Sequence, residues 1–122
     1  MKFYKCRKCG HVVYSINEKC ENVKCCDEEM MLLKAGETDG ALEKHVPVYV
    51  INDSIIEVTV GEVIHPMEED HYIEFICYEA NNNVYFKKLL PGSEPKASFP
   101  YMGKGVIYEY CNKHGLWKKD VE

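Results

Sequence analysis

At 122 residues, with 46% hydrophobic and 29% charged residues, the chain has the composition of one globular domain, or of a small module joined to a domain of about 85 residues. Its formal charge of −5 and scattered Lys and Arg exclude nucleic acid as the main partner, because phosphate binding needs clustered cations. The longest apolar stretch, Val46 to Ile51, is too short to cross a bilayer, and MKFY is not followed by the apolar core of a signal peptide; the cytoplasm is the expected location, with no membrane partner.

Seven cysteines are many for such a location, and an odd number fits a disulfide framework poorly, so metal or redox chemistry is expected. Five of them, Cys6, Cys9, Cys20, Cys25 and Cys26, lie in the first 26 residues. The glycines and polar residues of Lys34 to Gly40 mark a seam, giving an expected small domain at 1–36 and a larger one at 37–122.

Taken in chain order, FYKCRKCGHVVY predicts a short strand, a C-x-x-C turn closed by Gly10, and a second strand. Fifteen residues intervene between Cys9 and the adjacent pair Cys25 and Cys26. Four thiolates from two places in the chain suit zinc or a single iron, and so small a module needs a metal to fold. Neighbouring side chains on an extended strand point to opposite faces, so Cys25 and Cys26 share a metal only where the backbone bends. The distortion favours iron, whose redox properties respond to geometry, over a plain structural zinc. Cys20 reads as a free thiol, or as a substitute should Cys25 or Cys26 not bind, and His11 as a solvated strand residue.

From Glu43 onward the pattern has period 2. SIIEVTVGEV sets Ile56, Val58 and Val60 against Glu57 and Thr59, and HYIEFICYEA sets Ile73, Phe75 and Cys77 on one apolar face, with Cys77 in the core. NNN at 81–83 predicts a hairpin turn, and GVIYEYC predicts the last strand. The expected fold is mainly β: a small metal knuckle followed by an immunoglobulin-like antiparallel β-sandwich. His45, His65 and His71 fall at strand ends or in loops, His65 closing a strand before Pro66, and His114 follows Cys111 by three residues. Five such donors on one rim exceed the four that structural zinc uses and point to iron with an open position.

CRKC with its distant CC, EKHVPV, VGEVIHPMEEDHYIEF, FKKLLPGSEP and EYCNKHGLW together give the chain a close resemblance, over essentially its whole length, to the desulfoferrodoxin family of two-iron superoxide reductases. Cys20 and YMGKG depart from that pattern. The resemblance implies a first, desulforedoxin-like iron domain with Cys6, Cys9, Cys25 and Cys26 as ligands, where zinc can stand in for iron. It implies a second iron held by His45, His65, His71, His114 and Cys111. The implied reaction is one-electron reduction of superoxide to hydrogen peroxide. Lys44 would steer the anion and order a proton-donating water, and Glu43 would close over the open position afterwards. A small electron donor such as rubredoxin and a homodimeric assembly are implied as well. A non-catalytic iron electron carrier or redox sensor is the alternative, and a zinc hydrolase would leave one or two donors idle.

Overall fold

The structure, a computed structural model, describes residues 2–17, 22–36 and 42–122, the side chain of Glu43 excepted; Cys20 lies outside these residues. The chain divides into two compact units, Met1–Lys34 and Ala35–Glu122.

In the first unit, β1 (Lys2–Lys5) lies between β2 (Val12–Ser15) and β5 (Met31–Leu32), while β3 (Lys24–Cys25) and β4 (Glu28–Glu29) form a separate minimal hairpin. The β1–β2 connection is tightened by Cys6 N–H donating to the His11 carbonyl at 2.8 Å and Gly10 N–H to the Cys6 carbonyl at 3.0 Å. Gly10 has φ +79°, the left-handed conformation that its lack of a Cβ makes cheap. The adjacent cysteines part company at a two-residue turn: Cys25 ends β3, and Cys26 and Asp27 have φ of 53° and 61°, as the central residues of a type I′ hairpin require. That is the bend the neighbouring thiols need to face one point. Tyr4, Cys6 and Met30 form this unit's small buried cluster.

The second unit begins, within the described residues, with a helical turn, α1 (Leu42–His45). Seven strands follow: β6 (Pro47–Asn52), β7 (Ile55–Val60), β8 (Ile73–Ala80), β9 (Asn83–Lys88), β10 (Lys96–Pro100), β11 (Gly105–Cys111) and β12 (Gly115–Val121). They make two antiparallel sheets, ordered β10-β7-β6 and β12-β11-β8-β9, the mainly β sandwich that the alternating pattern predicts. Ile56, Val58 and Val60 from one sheet meet Ile76, Tyr78 and Ile107 from the other in a continuous apolar core. Burial of these alternate residues, with Glu57 left exposed, is what selects the strand register.

The structure corrects the sequence reading in three places and keeps Cys77 buried as expected. The core face of β8 carries Ile76, Tyr78 and Ala80, not Phe75 and Cys77; a bulge shifts the register between Tyr110 and Cys111, so Cys111 pairs with Ile73 while Tyr110 pairs with Phe75, and Ile73 joins the core. Cys77 is fully buried, on the opposite face of a central strand. A further strand, β12, follows β11. His65 does not close a strand, because β7 stops at Val60 and Gly61, with φ +85°, turns the chain away. The NNN hairpin does form, with Asn81 and Asn82 at φ 49° and 61°.

Tyr78 also fixes the YMGKG loop. Its hydroxyl donates to the Gly103 carbonyl at 2.6 Å and accepts from Met102 N–H at 3.1 Å, resembling the buried tyrosine that ties down a corner in other β-sandwiches.

Candidate metal centres

Three segments of the chain deliver the histidine cluster. His45 is the last residue of α1, held by Val46 N–H donating to the Leu42 carbonyl at 3.0 Å. His65 and His71 lie on the β7–β8 connection, where Glu68 and His71 exchange two backbone hydrogen bonds of 2.9 and 3.1 Å. Cys111 and His114 sit at the β11–β12 hairpin, whose three-residue loop, 112–114, leads into Gly115, the first residue of β12, with φ +80°.

One ligand atom from each of these five residues lies within 4.8 Å of every other. The four imidazoles form a closed ring of neighbours in the order His45, His65, His71, His114, with centroids 4.6 to 5.0 Å apart and successive rings tilted by 73° to 82°. His45 Nε2 stands 3.0 Å from His114 Nδ1 and 3.1 Å from His65 Nε2. Two nitrogens each bound about 2.1 Å from one ion at right angles are about 3 Å apart, so these edges have the size of a square of ligands. Cys111 Sγ supplies a fifth donor, 3.8 Å from His114 Nδ1.

The chemistry of the donors fits a cation. His65 Nδ1–H donates to the Pro66 carbonyl at 2.7 Å, which leaves the Nε2 lone pair facing the other rings. Burial pushes His65 down to about 4, so its ring is neutral at ordinary pH. Burial also lowers His71, with the charge of His114 adding to the effect. His71 Nε2 is buried and has no hydrogen-bond partner among the described residues. Burial raises the Cys111 thiol, opposed by backbone N–H groups of His114 and Lys113 aimed at its sulfur. A bound cation reverses this balance and holds the sulfur as thiolate. His45, His65 and Cys111 are buried while His71 and His114 are partly exposed, so the cluster reaches the surface on the side of the latter two.

Of the two candidates beside His45, Lys44 is exposed on α1; Glu43 belongs to the same turn, its side chain outside what is described. The sequence reading gave no role to three neighbours. The indole of Trp117 stacks on His45 at 5.0 Å and donates from Nε1 to the His114 carbonyl at 2.9 Å. Glu109 is fully buried, both carboxylate oxygens lack partners among the described residues, and burial holds its carboxyl well above the usual range. Asn112 hydrogen-bonds across to the chain on both sides of His71. Period and spacing carry no sign of such contacts, since the partners of Asn112 lie 40 and 42 residues away.

In the first unit, one sulfur from each of Cys6, Cys9, Cys25 and Cys26 lies within 4.8 Å of the others. Cys9 and Cys25 are 3.6 Å apart, and Cys25 and Cys26 are 3.9 Å apart. A tetrahedron with metal–sulfur bonds of about 2.3 Å has edges of about 3.8 Å. The backbone N–H of Cys9 reaches Cys6 Sγ at 3.5 Å and is the main reason that the Cys6 thiol falls to about 7. Cys25, sharing protons with the Cys9 and Cys6 sulfurs, is pushed up to about 12, and the Cys9 sulfur raises Cys26 too. Four sulfurs this close do not ionise together without a positive charge among them. His11 is exposed.

A mainly β chain with a four-cysteine knuckle and a sandwich that gathers four imidazoles and a thiol defines a metalloprotein whose two donor sets are consistent with two iron centres. The Desulfoferrodoxin family matches residues 37–120. A desulfoferrodoxin from Nitratidesulfovibrio vulgaris is 46% identical over 121 residues, covering 98% of this chain and 96% of its own. The chain belongs to the desulfoferrodoxin family. A superoxide reductase from Pyrococcus abyssi is 36% identical over 110 residues, covering 74% of this chain and 94% of its own. Among solved structures, the superoxide reductase from Treponema pallidum superimposes with a TM-score of 0.78 at 28% identity, covering 97% of each chain. These neighbours support an oxidoreductase.

Proposed function

We propose that the chain is a superoxide reductase, with Met1–Lys34 acting as a four-cysteine iron domain and Ala35–Glu122 as the catalytic domain. The ring of four imidazoles with Cys111 beside it is the observation that carries this reading: it offers one more donor than structural zinc takes. His45, His65, His71, His114 and Cys111 would hold iron in the second domain, and Cys6, Cys9, Cys25 and Cys26 would hold the first. Iron bound by the five donors would supply the electron in the balanced step O2•− + e− + 2 H+ → H2O2, passing from ferrous to ferric.

The chain's own residues do the rest. Superoxide is an anion approaching a protein of net charge −5, so a local cation has to offset the overall field. Lys44, exposed and one residue before His45, is the group proposed to do so and to order the water that delivers a proton. The Pro66 carbonyl fixes the tautomer of His65, and Trp117 fixes the ring plane of His45. Cys111, as thiolate, would donate charge to a cation held there. Glu43, in the same turn as Lys44, is proposed as a carboxylate that would act at this site once the product has left. Each turnover consumes an electron, for which a small iron–sulfur carrier such as rubredoxin is the proposed source. Among the described residues no helix is long and apolar enough to cross a membrane.

The test is a superoxide pulse on the fully reduced, iron-loaded protein. Rapid loss of superoxide with growth of a thiolate-to-ferric absorption band is expected, and it should vanish in His65→Ala. Superoxide decay no faster than in buffer would reject the reading in favour of an electron carrier.

A further inference from the structure

We propose that Asn112 is a positioning residue that locks His71 against Cys111 and His114, so that the five donors keep one geometry; this rests on reading those donors as a single metal site. The side-chain amide of Asn112 brackets His71. Its Oδ1 accepts from Tyr72 N–H at 3.0 Å, and its Nδ2 donates to the Asp70 carbonyl at 3.1 Å. Its own backbone N–H donates to the Tyr72 carbonyl at 3.2 Å. Three hydrogen bonds therefore join the residue after Cys111 to the residues before and after His71.

His71 needs such a brace. It precedes β8 on the long β7–β8 connection, and its own backbone N–H and C=O are both engaged by Glu68, within the same connection. That local bridge shapes the loop without tying it to the β11–β12 hairpin. Asn112 makes the tie, at the point where the β8–β11 register has shifted by a bulge and the regular ladder no longer sets the spacing. The partners also explain the residue type. One acceptor must meet an N–H while one donor meets a C=O, which fixes the amide's orientation and excludes a carboxylate or hydroxyl as an equivalent. Partners that orient metal ligands typically contribute 10–100-fold to metal affinity.

The experiment uses the zinc-loaded full-length chain challenged with increasing EDTA. NMR signals of the His45, His65, His71 and His114 rings report zinc at this site only. Asn112→Ala is expected to need about tenfold less EDTA to lose this zinc, with the His71 ring released first and the four-cysteine zinc retained as in the parent. Asn112→Asp, which keeps the acceptor and loses the donor, should fall between. Parent-like zinc retention with an unmoved His71 signal in Asn112→Ala would overturn the proposal. Equal loosening of all four rings together with loss of sandwich amide signals would also overturn it, since that marks a general structural role. Should Asn112→Ala not fold, Asn112→Asp decides by the same two readouts. Zinc passes no electron to superoxide, so the outcome does not depend on the proposed reaction. Failure of the five-donor reading would show instead in the parent, as ring signals that ignore zinc.

Discussion

Two consecutive residues with positive φ, Cys26 and Asp27, let neighbouring thiols turn toward one point. A side chain branched at Cβ strains this conformation, at a cost of about 1–2 kcal/mol. Asp27→Val should therefore lower the thermal midpoint of the first unit and hasten metal loss from it, while Asp27→Gly should leave both near the parent value. Thermal unfolding followed by the absorption of the four-cysteine centre measures each. Cys77 presents the opposite case, a cysteine outside both clusters. It is fully buried and its thiol is pushed up to about 12 by burial, so it stays protonated and shielded. In the folded protein at pH 8, iodoacetamide should leave Cys77 unmodified, and it should react once the chain is unfolded in urea. Mass spectrometry of the tryptic peptide reads the difference, and rapid labelling in the native state would contradict the assigned burial.

Elements place these residues, and their legibility varied with how simple their surroundings are. β7 has one buried and one solvated face, so its alternation of Ile56, Val58 and Val60 is plain in the sequence. β8 is central and buried on both faces, and its bulge changes which residues share the core side; period 2 cannot report either fact. β12 does not show in the sequence pattern because Lys118, Lys119 and Asp120 interrupt its alternation with three exposed charges in a row. The helical turn at Leu42–His45 is too short to show a helical period. The donor residue types stand out in the sequence, and their spacing marks the four-cysteine knuckle. The parts played by Asn112, Trp117 and Glu109 arise only from contacts made through space. Tyr78 gives an element-scale test. Tyr78→Phe removes the bond to the Gly103 carbonyl and leaves Met102 N–H without its acceptor, so it should cost about 1–3 kcal/mol in urea unfolding.

At the scale of the whole molecule, the two units hold themselves together differently. The second has a core drawn from both of its sheets, whereas the cluster of the first consists of Tyr4, Cys6 and Met30, one of them a metal-ligand candidate. Removal of metal by a chelator under reducing conditions should therefore unfold Met1–Lys34 and leave the sandwich largely intact. Limited proteolysis should then cut within the first unit and spare the strands of the second. The chain's charge supplies a second test. With a net charge of −5 opposing the substrate, Lys44→Ala should slow the second-order reaction with superoxide about tenfold at low salt and weaken its dependence on ionic strength.

The ratio of products tests the central claim most directly. Fully reduced, iron-loaded protein given less superoxide than it holds five-donor sites should yield one hydrogen peroxide for each superoxide consumed, without release of dioxygen. Half a peroxide per superoxide with dioxygen evolved would mean dismutation and would contradict the account.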